Sequence, residues 1–435
     1  MAAAAAGCKG VATAVAMMGL MSGCAGWSEG SVSFAPPSTT GHSTSPRRDP
    51  ALLTFAATRP EQASLLATGV VDGKDGWVVS IDGGTSWAAA AAPVAAAGEA
   101  FFIPTAATPA TPGSRRAIRG NVGGIPSGYL KNVSQGPWSA TRPIVYSLAA
   151  DRTITVAPGA PGAASRWAAL PHETALLVFS SAGLAHLGGQ SYVSTPWVWY
   201  HNVSFVGPSG KLQITCCDST VVAYRTDDDG ATWTLVGQIA NKSSLIAAGF
   251  PSEEGPNEND LVLLKDGKTL LCVVRRDGGD GVPQHSHVPY VFATSIDRGN
   301  TWSLSPAPAG LLSARPQAMV LPNGALAISG GRPALNLWVS PSGSPSGPWE
   351  KIDIPTVHNG LVAPTDRFCA AFENATTSLG WYQSSCYTQL GVLSDDTGVV
   401  CYEKQGATSG GGHAVPPECA FAGSSIYCMR FTVSV

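Results

Sequence analysis

The stretch around Glu258 combines a carboxylate with two guanidinium groups at a spacing that could do chemistry. The runs 261–264 and 269–274 are rich in β-forming residues and flank Asp266-Gly267. Asp-Gly between two such runs predicts a hairpin, because both central residues of the tight turn need positive φ. This hairpin would bring Glu258 beside Arg275 and Arg276. A guanidinium there could bind an anion through paired N–H donors that lysine cannot match, so we expect a polar site at this end of the ribbon.

The hairpin pattern recurs along the chain. Similar segments span residues 203–215, 318–329 and 389–402, with predicted turns at Gly210, Gly324 and Gly398. The turn glycines 210, 267 and 324 are 57 residues apart, and Gly398 follows 74 residues later. An all-β repeat of about 40 to 50 residues or more is typical of propeller blades.

Overlaying the repeats on their turn glycines aligns six polar residues. The position nine residues before the turn holds His201, Glu258 and Arg315, and the position eight after it holds Asp218, Arg275 and Arg332. The innermost strands of a propeller converge on its axis. We therefore expect these six residues to surround one mouth of a central channel.

The composition favours one large all-β domain. The chain has 435 residues, 50 of them Gly and 33 Pro, with 13% charged residues and a formal net charge of −3. This Gly and Pro content without a collagen period, together with many short β runs, fits an all-β fold better than a helical one. The sequence contains no basic patch, so nucleic acid is not an expected partner.

The N-terminal region resembles an export signal. An apolar, small-residue run follows Lys9, is too short to span a bilayer, and ends near Cys24, a potential lipoprotein site. We predict a signal peptide at 1–25, a Ser/Thr/Pro-rich linker at 26–50 and a propeller at 51–435. The predicted protein is secreted or at the cell surface, without a dedicated membrane span. Five cysteines in the last 67 residues predict disulfides that close the final blade onto its neighbours, whereas Cys272 is as plausibly a free thiol.

A second repeated element precedes several tryptophans. The octapeptides SIDGGTSW, TDDDGATW and SIDRGNTW end at Trp87, Trp233 and Trp302, and a weaker form ends at Trp349. Ser, Thr and Asp side chains can bond the backbone N–H groups of a turn, and Gly supplies a left-handed φ. We interpret these aspartates as structural rather than catalytic.

These elements resemble the Asp-boxes of sialidases (neuraminidases), whose fold is a six-bladed β-propeller. The likeness extends to residues 258–276, where a Glu precedes a hairpin that ends in an Arg. It continues through 325–340, which supplies another Arg, and 384–403, where a Tyr is followed sixteen residues later by a Glu. The resemblance covers about 51–435 and is weaker before Pro196. It implies an all-β, six-bladed propeller.

The resemblance also implies roles for individual residues. Arg275 and Arg332 match two of three arginines that bind the carboxylate of sialic acid. Tyr387 matches the nucleophile, which replaces the usual carboxylate because an anionic nucleophile would be repelled by the anionic sugar. Glu258 matches the base that activates the phenol, and Glu403 matches the acidic residue that holds the first family arginine.

The first blade matches the family less well. The family pattern is an R-x-P arginine followed by an aspartate acid/base. Arg59-Pro60 and the segment 65–77 offer Arg59 as the third arginine and Asp72 or Asp75 as the acid, with Asp218 as a rival. Without such an acid the leaving group would not be protonated and hydrolysis would be slow.

Two of these roles have a second candidate close by in the chain. Arg276 could replace Arg275, and Tyr382 could replace Tyr387 as the nucleophile. His201 and Arg315 are interpreted as rim residues that contact substrate or shape the pocket.

The predicted function is hydrolysis of terminal sialic acid with retention, without a cofactor or metal, on sialylated glycans or glycoproteins. The predicted protein is a monomer. Two competing functions are a non-catalytic propeller that binds acidic glycans, as a lectin or adhesion module, and a glycosidase for another acidic sugar.

Overall fold

The computed structural model describes residues 31–43, 50, 52–71, 74–90, 115–119, 129–130, 138–141, 143–152, 154–158, 165–167, 175–200, 204–206, 212–214, 218–228, 230–250, 252, 255–276, 288–331, 335–368, 387–405 and 424–435. Most of these residues belong to strands, and most neighbouring strands are antiparallel. The predicted all-β class is therefore confirmed.

Within the described ranges, five sheets have four or more strands, and we label them A to E. Sheet A consists of Leu52–Phe55, Ser64–Val71, Lys74–Ser80 and Ala88–Ala89. Sheet B consists of Tyr129–Leu130, Trp138–Thr141, Ser165–Trp167, Ala175–Gly188, Ser191–Tyr200, Asp218–Thr226 and Thr232–Asn241. Sheet C consists of Asn259–Leu263, Leu270–Val274, Val291–Ser295 and Ser303–Pro306. Sheet D consists of Gln317–Val320, Leu326–Gly330, Asn336–Ser340 and Glu350–Asp353. Sheet E consists of Thr388–Val392, Thr397–Gln405, Ser424–Val433, Val32–Phe34 and Ser38–Ser43.

The remaining elements are small. A three-stranded sheet contains Arg115–Arg119, Pro143–Leu148 and Ile154–Pro158, and a hairpin contains Ser204–Val206 and Leu212–Ile214. Helices α1 and α2 span Lys242–Ala247 and Ile354–Leu361, and short 3₁₀ turns span Pro60–Gln62 and Pro364–Asp366. Neither helix is long and apolar enough to cross a bilayer, and the same holds for every helical segment of the described residues.

The sheets are arranged with their first strands side by side. Asn259–Leu263 lies next to Gln317–Val320, which lies next to Thr388–Val392, which in turn lies next to Leu52–Phe55. On the other side, Asn259–Leu263 contacts Ala175–Gly188 of sheet B. Within sheets A, C and D the strands then follow chain order outward. This is a propeller-like all-β arrangement.

The core lies between neighbouring sheets, and the strand alternation explains it. All five residues of Leu270–Val274 are buried. Leu270, Cys272 and Val274 pack in a cluster with sheet B, whereas Leu271 and Val273 pack with sheet D. Successive side chains of a strand point to opposite faces, so a strand buried on both faces is a continuous apolar run rather than an alternating one.

The N-terminal segment differs from its prediction. Val32–Phe34 and Ser38–Ser43 pair antiparallel with Ser424–Val433, in registers such as Phe34 with Phe431. For residues 32–43 the predicted linker is wrong, because this Ser/Thr-rich segment forms two short strands at an edge of sheet E. The predicted signal segment and Cys24 lie outside the described residues.

The cysteines also differ from the prediction in part. Cys401 and Cys428 form a disulfide between adjacent strands of sheet E, so this bond lies within the sheet rather than joining it to a neighbour. Cys272 is a free, fully buried thiol whose pKa is raised by burial.

Three turns before tryptophans share one geometry. Asp82, Asp228 and Asp297 each accept the hydroxyl proton of the Ser or Thr two residues earlier, at 2.7, 2.7 and 2.8 Å. Each also accepts the backbone N–H of the residue four positions later, at 2.9, 2.8 and 2.9 Å. The glycine two residues after each aspartate has a φ of +83, +87 or +89 degrees. These contacts are local, as the structural interpretation of the octapeptides requires.

The hairpin turns of neighbouring sheets meet at one end, which we call the turn end. Lys265 Nζ of sheet C donates to Asn323 O of sheet D at 2.6 Å, and Asn323 N donates to Asp395 O of sheet E at 2.9 Å. Ala57 N, after the first strand of sheet A, donates to Leu393 O at 2.8 Å. The opposite end of the sheets is called the site end.

Candidate active site

Glu258 and Arg275 face each other at the site end of sheet C. The antiparallel pairing of Asn259 with Val274 continues outward, since Arg275 N donates to Glu258 O at 2.9 Å. Arg275 Nη1 lies 2.7 Å from Glu258 Oε2, and the two residues are only 6% and 8% exposed. The sequence prediction that one hairpin would place this carboxylate beside this guanidinium is confirmed.

The turn that creates this pairing differs from the predicted one. Gly267 has a φ of +68 degrees, but Asp266 does not have a positive φ. Gly267 N donates to Leu264 O at 3.0 Å, and Asp266 Oδ1 accepts N–H bonds from Lys268 and Thr269 at 2.9 and 2.8 Å. The loop is therefore a four-residue turn of the type I family with Gly in the left-handed position, rather than a two-residue turn.

Arg276 faces away from Glu258. Its Nε donates to Pro289 O at 3.0 Å, and its guanidinium carbon lies 5.8 Å from the centre of the Phe250 ring. Consecutive residues of an extended strand point to opposite faces, so only one of the two arginines can pair with the carboxylate. That residue is Arg275.

Tyr387 reaches the same carboxylate from sheet E. It directly precedes Thr388–Val392, and its hydroxyl donates to Glu258 Oε1 at 2.9 Å. The two residues are 129 positions apart in the chain. Glu258 thus uses one oxygen for Arg275 and the other for a half-buried phenol.

Arg315 of sheet D contacts both Glu258 and Tyr387. Its backbone N–H donates to Glu258 Oε2 at 2.8 Å, and its guanidinium carbon lies 5.0 Å from the centre of the Tyr387 ring. Its φ of +39 degrees is unusual for a residue with a side chain. Three sheets therefore supply the group Glu258, Arg275, Arg315 and Tyr387, which we call the site quartet.

A second polar layer lies one strand repeat below the quartet. Asp260, Gln317 and Gln389 stand two residues after Glu258, Arg315 and Tyr387, and each lies on the first strand of its sheet. Gln389 Nε2 donates to Gln317 Oε1, and Asp260 Oδ2 accepts the N–H of Ala318 at 2.7 Å. Burial raises the pKa of Asp260 to about 7. The alternate spacing on three strands is the sequence signal that could have identified this layer.

Arg59, predicted as the third arginine, lies at the wrong end of the molecule. It follows Ala57, which is bonded to Leu393 at the turn end, and it is exposed. The strand Leu52–Phe55 runs toward that end, so a residue beyond its last position cannot face Tyr387. The prediction for Arg59 is wrong.

The R-x-P triplet of the first sheet precedes the strand rather than following it. Residues 48–50 are Arg48-Asp49-Pro50, and Pro50 is buried just before Leu52–Phe55, where that strand begins. Arg48 itself lies outside the described residues. The sequence contains this signal in full, whereas Arg59-Pro60 lacks the intervening residue.

Several predicted site residues cannot be placed themselves, although the strands next to Asp72 and Arg332 in the chain can. Asp72 and Arg332 lie outside the described residues, as do Tyr382 and His201. Val71 pairs with Lys74 at the end of sheet A away from its Asp82 turn, and Gly330 ends a strand at the site end of sheet D. Glu403 is fully buried on Thr397–Gln405, next to the residue that pairs with Thr388.

The quartet suits proton transfer from a phenol to a carboxylate. A tyrosine hydroxyl within hydrogen-bond distance of a glutamate can act with it as a nucleophile and base, and the glutamate is oriented by further donors. Arg275 and the Arg315 amide supply those donors. Among the described residues, no group of three or more His, Cys, Asp or Glu side chains is arranged to hold a metal ion.

Comparisons with known proteins give distant structural likenesses. No protein-family model and no curated protein sequence matches the chain. Solved structures similar to it include a Dyadobacter fermentans protein of unknown function, at 12% identity and a TM-score of 0.49, covering 93% of this chain and 100% of that one. An α-L-arabinofuranosidase from Fusarium graminearum shares 15% identity, with a TM-score of 0.46 and coverage of 92% and 98%. Trypanosoma rangeli sialidase in complex with sialic acid shares 12% identity, with a TM-score of 0.45, and the chain spans only 59% of that protein. At these TM-scores the likeness carries no assignment of activity, which must be argued from the site.

Proposed function

We propose that the protein is a retaining exo-α-sialidase in which Tyr387 is the nucleophile and Glu258 is its base. The observation that carries this proposal is the 2.9 Å hydrogen bond from the Tyr387 hydroxyl to Glu258 Oε1. In this proposal sheets A to E and the three-stranded sheet are the blades of a six-bladed propeller. The N-terminal signal segment would deliver the enzyme to sialylated glycans outside the cell.

A phenol paired with arginines suits an anionic sugar. Sialic acid carries a carboxylate on its anomeric carbon, so a carboxylate nucleophile would be repelled while a neutral phenol would not. A guanidinium carries five N–H donors, so a bond from Arg275 to Glu258 is compatible with a second bond to the sugar carboxylate. Arg332 and Arg48 are the proposed second and third carboxylate ligands.

The proposed reaction has two balanced steps. The Tyr387 oxygen forms a bond to the anomeric carbon as the bond to the leaving oxygen breaks, and the phenolic proton passes to Glu258. The leaving oxygen takes a proton from an acid, for which Asp72 is the candidate. Water then bonds to the anomeric carbon, its proton goes to the acid/base, and Tyr387 leaves and recovers its proton from Glu258.

The test uses an aryl sialoside and 2,3-difluorosialic acid. An aryl group leaves without full protonation, so turnover reports the nucleophile even where the acid is weak. The nucleophile bonds to the anomeric carbon of the difluoro sugar and the anomeric fluoride leaves as fluoride ion, so we expect a mass increase on the peptide that contains Tyr387. Tyr387→Phe should abolish the label and lower turnover by about 1000-fold or more, since a single member of a catalytic unit can carry most of the rate.

Tyr382→Phe is the matched control, because it removes a nearby phenol from the same segment. Label on Tyr382, or unchanged turnover in Tyr387→Phe, would contradict the mechanism. Binding of the sialoside without turnover in the wild-type protein would instead support a non-catalytic glycan-binding propeller.

A further inference from the structure

Arg315 is held in an unusual backbone conformation beside the phenol. Its φ of +39 degrees lies in the left-handed region, which is unfavourable for a residue with a Cβ. Pro316 follows it and further restricts the backbone. Strain of this kind persists where surrounding contacts over-determine it, which is common at functional sites.

In this conformation Arg315 contacts both Glu258 and Tyr387. In this left-handed conformation the backbone N–H of Arg315 donates to Glu258 Oε2 at 2.8 Å. The same residue places its guanidinium against the Tyr387 ring, at 5.0 Å from the ring centre. One residue therefore binds both members of the phenol–carboxylate pair, one through its backbone and the other through its side chain.

A cation over the face of a phenol acts on the ionisation of that phenol. The ring carries negative charge density on its face, and the phenolate carries more of it than the phenol. A guanidinium remains charged at every relevant pH, so the contact favours the phenolate. The same charge would stabilise Tyr387 both when it attacks as a developing phenolate and when it departs as one.

The other charged groups around Tyr387 come from the adjacent sheets. Glu258 and Arg275 of sheet C form a buried ion pair, and Glu258 also accepts the hydrogen bond of the Tyr387 hydroxyl. Glu403 of sheet E is buried on the strand next to Thr388–Val392. Asp260 lies in the layer below, where its attraction to Arg315 lowers the pKa that burial raises. Arg315 places its cation against the ring, at 5.0 Å from the ring centre.

We propose that Arg315 is a positioning residue that sets the reactivity of Tyr387. Its amide orients the carboxylate that takes the phenolic proton, and its guanidinium lowers the pKa of the phenol. Its effect on turnover rests on the proposed function, whereas its effect on the ionisation of Tyr387 does not.

The test measures that ionisation directly. Tyrosine labelled with carbon-13 at Cζ gives one NMR signal for each of the ten tyrosines, and Tyr387→Phe identifies the signal of Tyr387. In Arg315→Met we expect the pKa of Tyr387 to rise by about one unit or more, and kcat to fall about tenfold with a smaller change in KM. Arg315→Lys should restore part of both effects.

Arg315→Gly separates the side chain from the backbone. Glycine accepts a φ of +39 degrees without strain and keeps the N–H that bonds Glu258, so the fold should be retained while only the guanidinium is lost. This variant should therefore raise the Tyr387 pKa as Arg315→Met does.

Arg298→Met is the matched control at the other end of the sheets. Arg298 also has a positive φ, of 61 degrees, but it lies in the turn that contains Asp297 and contacts Asp227. This variant should leave the Tyr387 titration and turnover unchanged. A Tyr387 titration that is identical in Arg315→Met, Arg315→Gly and the wild type would overturn the proposal. If the titration of Tyr387 shifted but neither the wild type nor any variant hydrolysed the sialoside, the effect of Arg315 on Tyr387 would stand and the proposed function would be rejected.

Discussion

Each end of sheet C has a carboxylate that accepts several hydrogen bonds, but the two carboxylates differ in how far along the chain their partners lie. At the turn end, Asp297 is bonded to Ser295 and Thr301, all within one octapeptide. At the site end, Glu258 is bonded to residues 17, 57 and 129 positions away. Local contacts make a stable turn, whereas contacts between sheets make a site that exists only when the whole fold is formed.

Two aspartates of sheet C show the same contrast in their proton affinity. The hydroxyl and N–H donors of Thr301 hold the pKa of Asp297 at about 2. Burial raises the pKa of Asp260 to about 7, although it also accepts backbone N–H bonds from Ala318 and Leu261. Desolvation outweighs hydrogen bonding at the site end, and hydrogen bonding outweighs desolvation at the exposed turn end.

The largest expected difference between the two ends appears when an ion pair is broken at each. Glu258→Gln leaves Arg275 buried without its carboxylate, and breaking a buried pair costs about 3 to 5 kcal/mol of unfolding free energy. Turnover should fall by about 100-fold or more, because the phenol loses its base. Urea denaturation and aryl sialoside hydrolysis would measure the two effects.

Asp227→Asn is the corresponding change at the turn end. Asp227 pairs with Arg298 at 3.0 Å, but both side chains are more than half exposed, so the unfolding free energy should change by less than about 1 kcal/mol. If Glu258→Gln and Asp227→Asn lost the same unfolding free energy, the buried ion pair at the site end would contribute no more stability than the exposed one at the turn end.

The pH dependence of stability should separate the two aspartates of sheet C. The pKa of Asp260 is raised in the folded protein, so its contribution to stability is fully present below about pH 4 and is lost as the pH rises through 7. The pKa of Asp297 is lowered, so its contribution is present above about pH 4 and is lost as the pH falls toward 2. We therefore expect opposite slopes from the two groups.

Single substitutions would show which group gives which slope. Asp260→Asn should flatten the stability profile between about pH 4 and 7, and Asp297→Asn should flatten it between about pH 2 and 4. Unfolding midpoints in denaturant across both windows would measure this. If Asp260→Asn left the upper window unchanged, burial would not govern the proton affinity of that carboxyl.

The contrast also explains what the sequence could and could not predict. The turns at Asp82, Asp228 and Asp297 are determined by residues within eight positions, so their type and role follow from local chemistry. The Glu258–Arg275 pairing also follows, because one hairpin creates it. The overlay of the turn glycines predicts that Arg315 lies at the same height in its sheet as Glu258. The hydrogen bond between the two residues agrees with this prediction.

Contacts that depend on the direction of a strand could not be predicted in the same way. Whether a residue precedes or follows its strand decides which end of the sheet it occupies, and the residue types around Arg59 do not carry that information. The strands Val32–Phe34 and Ser38–Ser43 are polar and lie at a sheet edge, so they lack the apolar pattern by which buried strands are recognised. The contact of the Arg315 guanidinium with Tyr387 depends on a left-handed φ that no residue pattern here indicates.

The smallest expected effect tests the assignment of ends directly. Arg59 is exposed and follows a strand that finishes at the turn end, so Arg59→Ala should leave kcat/KM within about twofold of the wild type, as surface substitutions usually do.

Arg48→Ala removes the arginine of the R-x-P triplet that precedes the same strand. A charge-assisted bond to a carboxylate contributes about 1.5 to 3 kcal/mol, so this change should lower kcat/KM by about 10- to 100-fold. Each variant loses one positive charge, so a difference in kcat/KM between them reports the position of the arginine alone. If Arg59→Ala were the damaging change, strand direction in sheet A would not determine which arginine faces Tyr387.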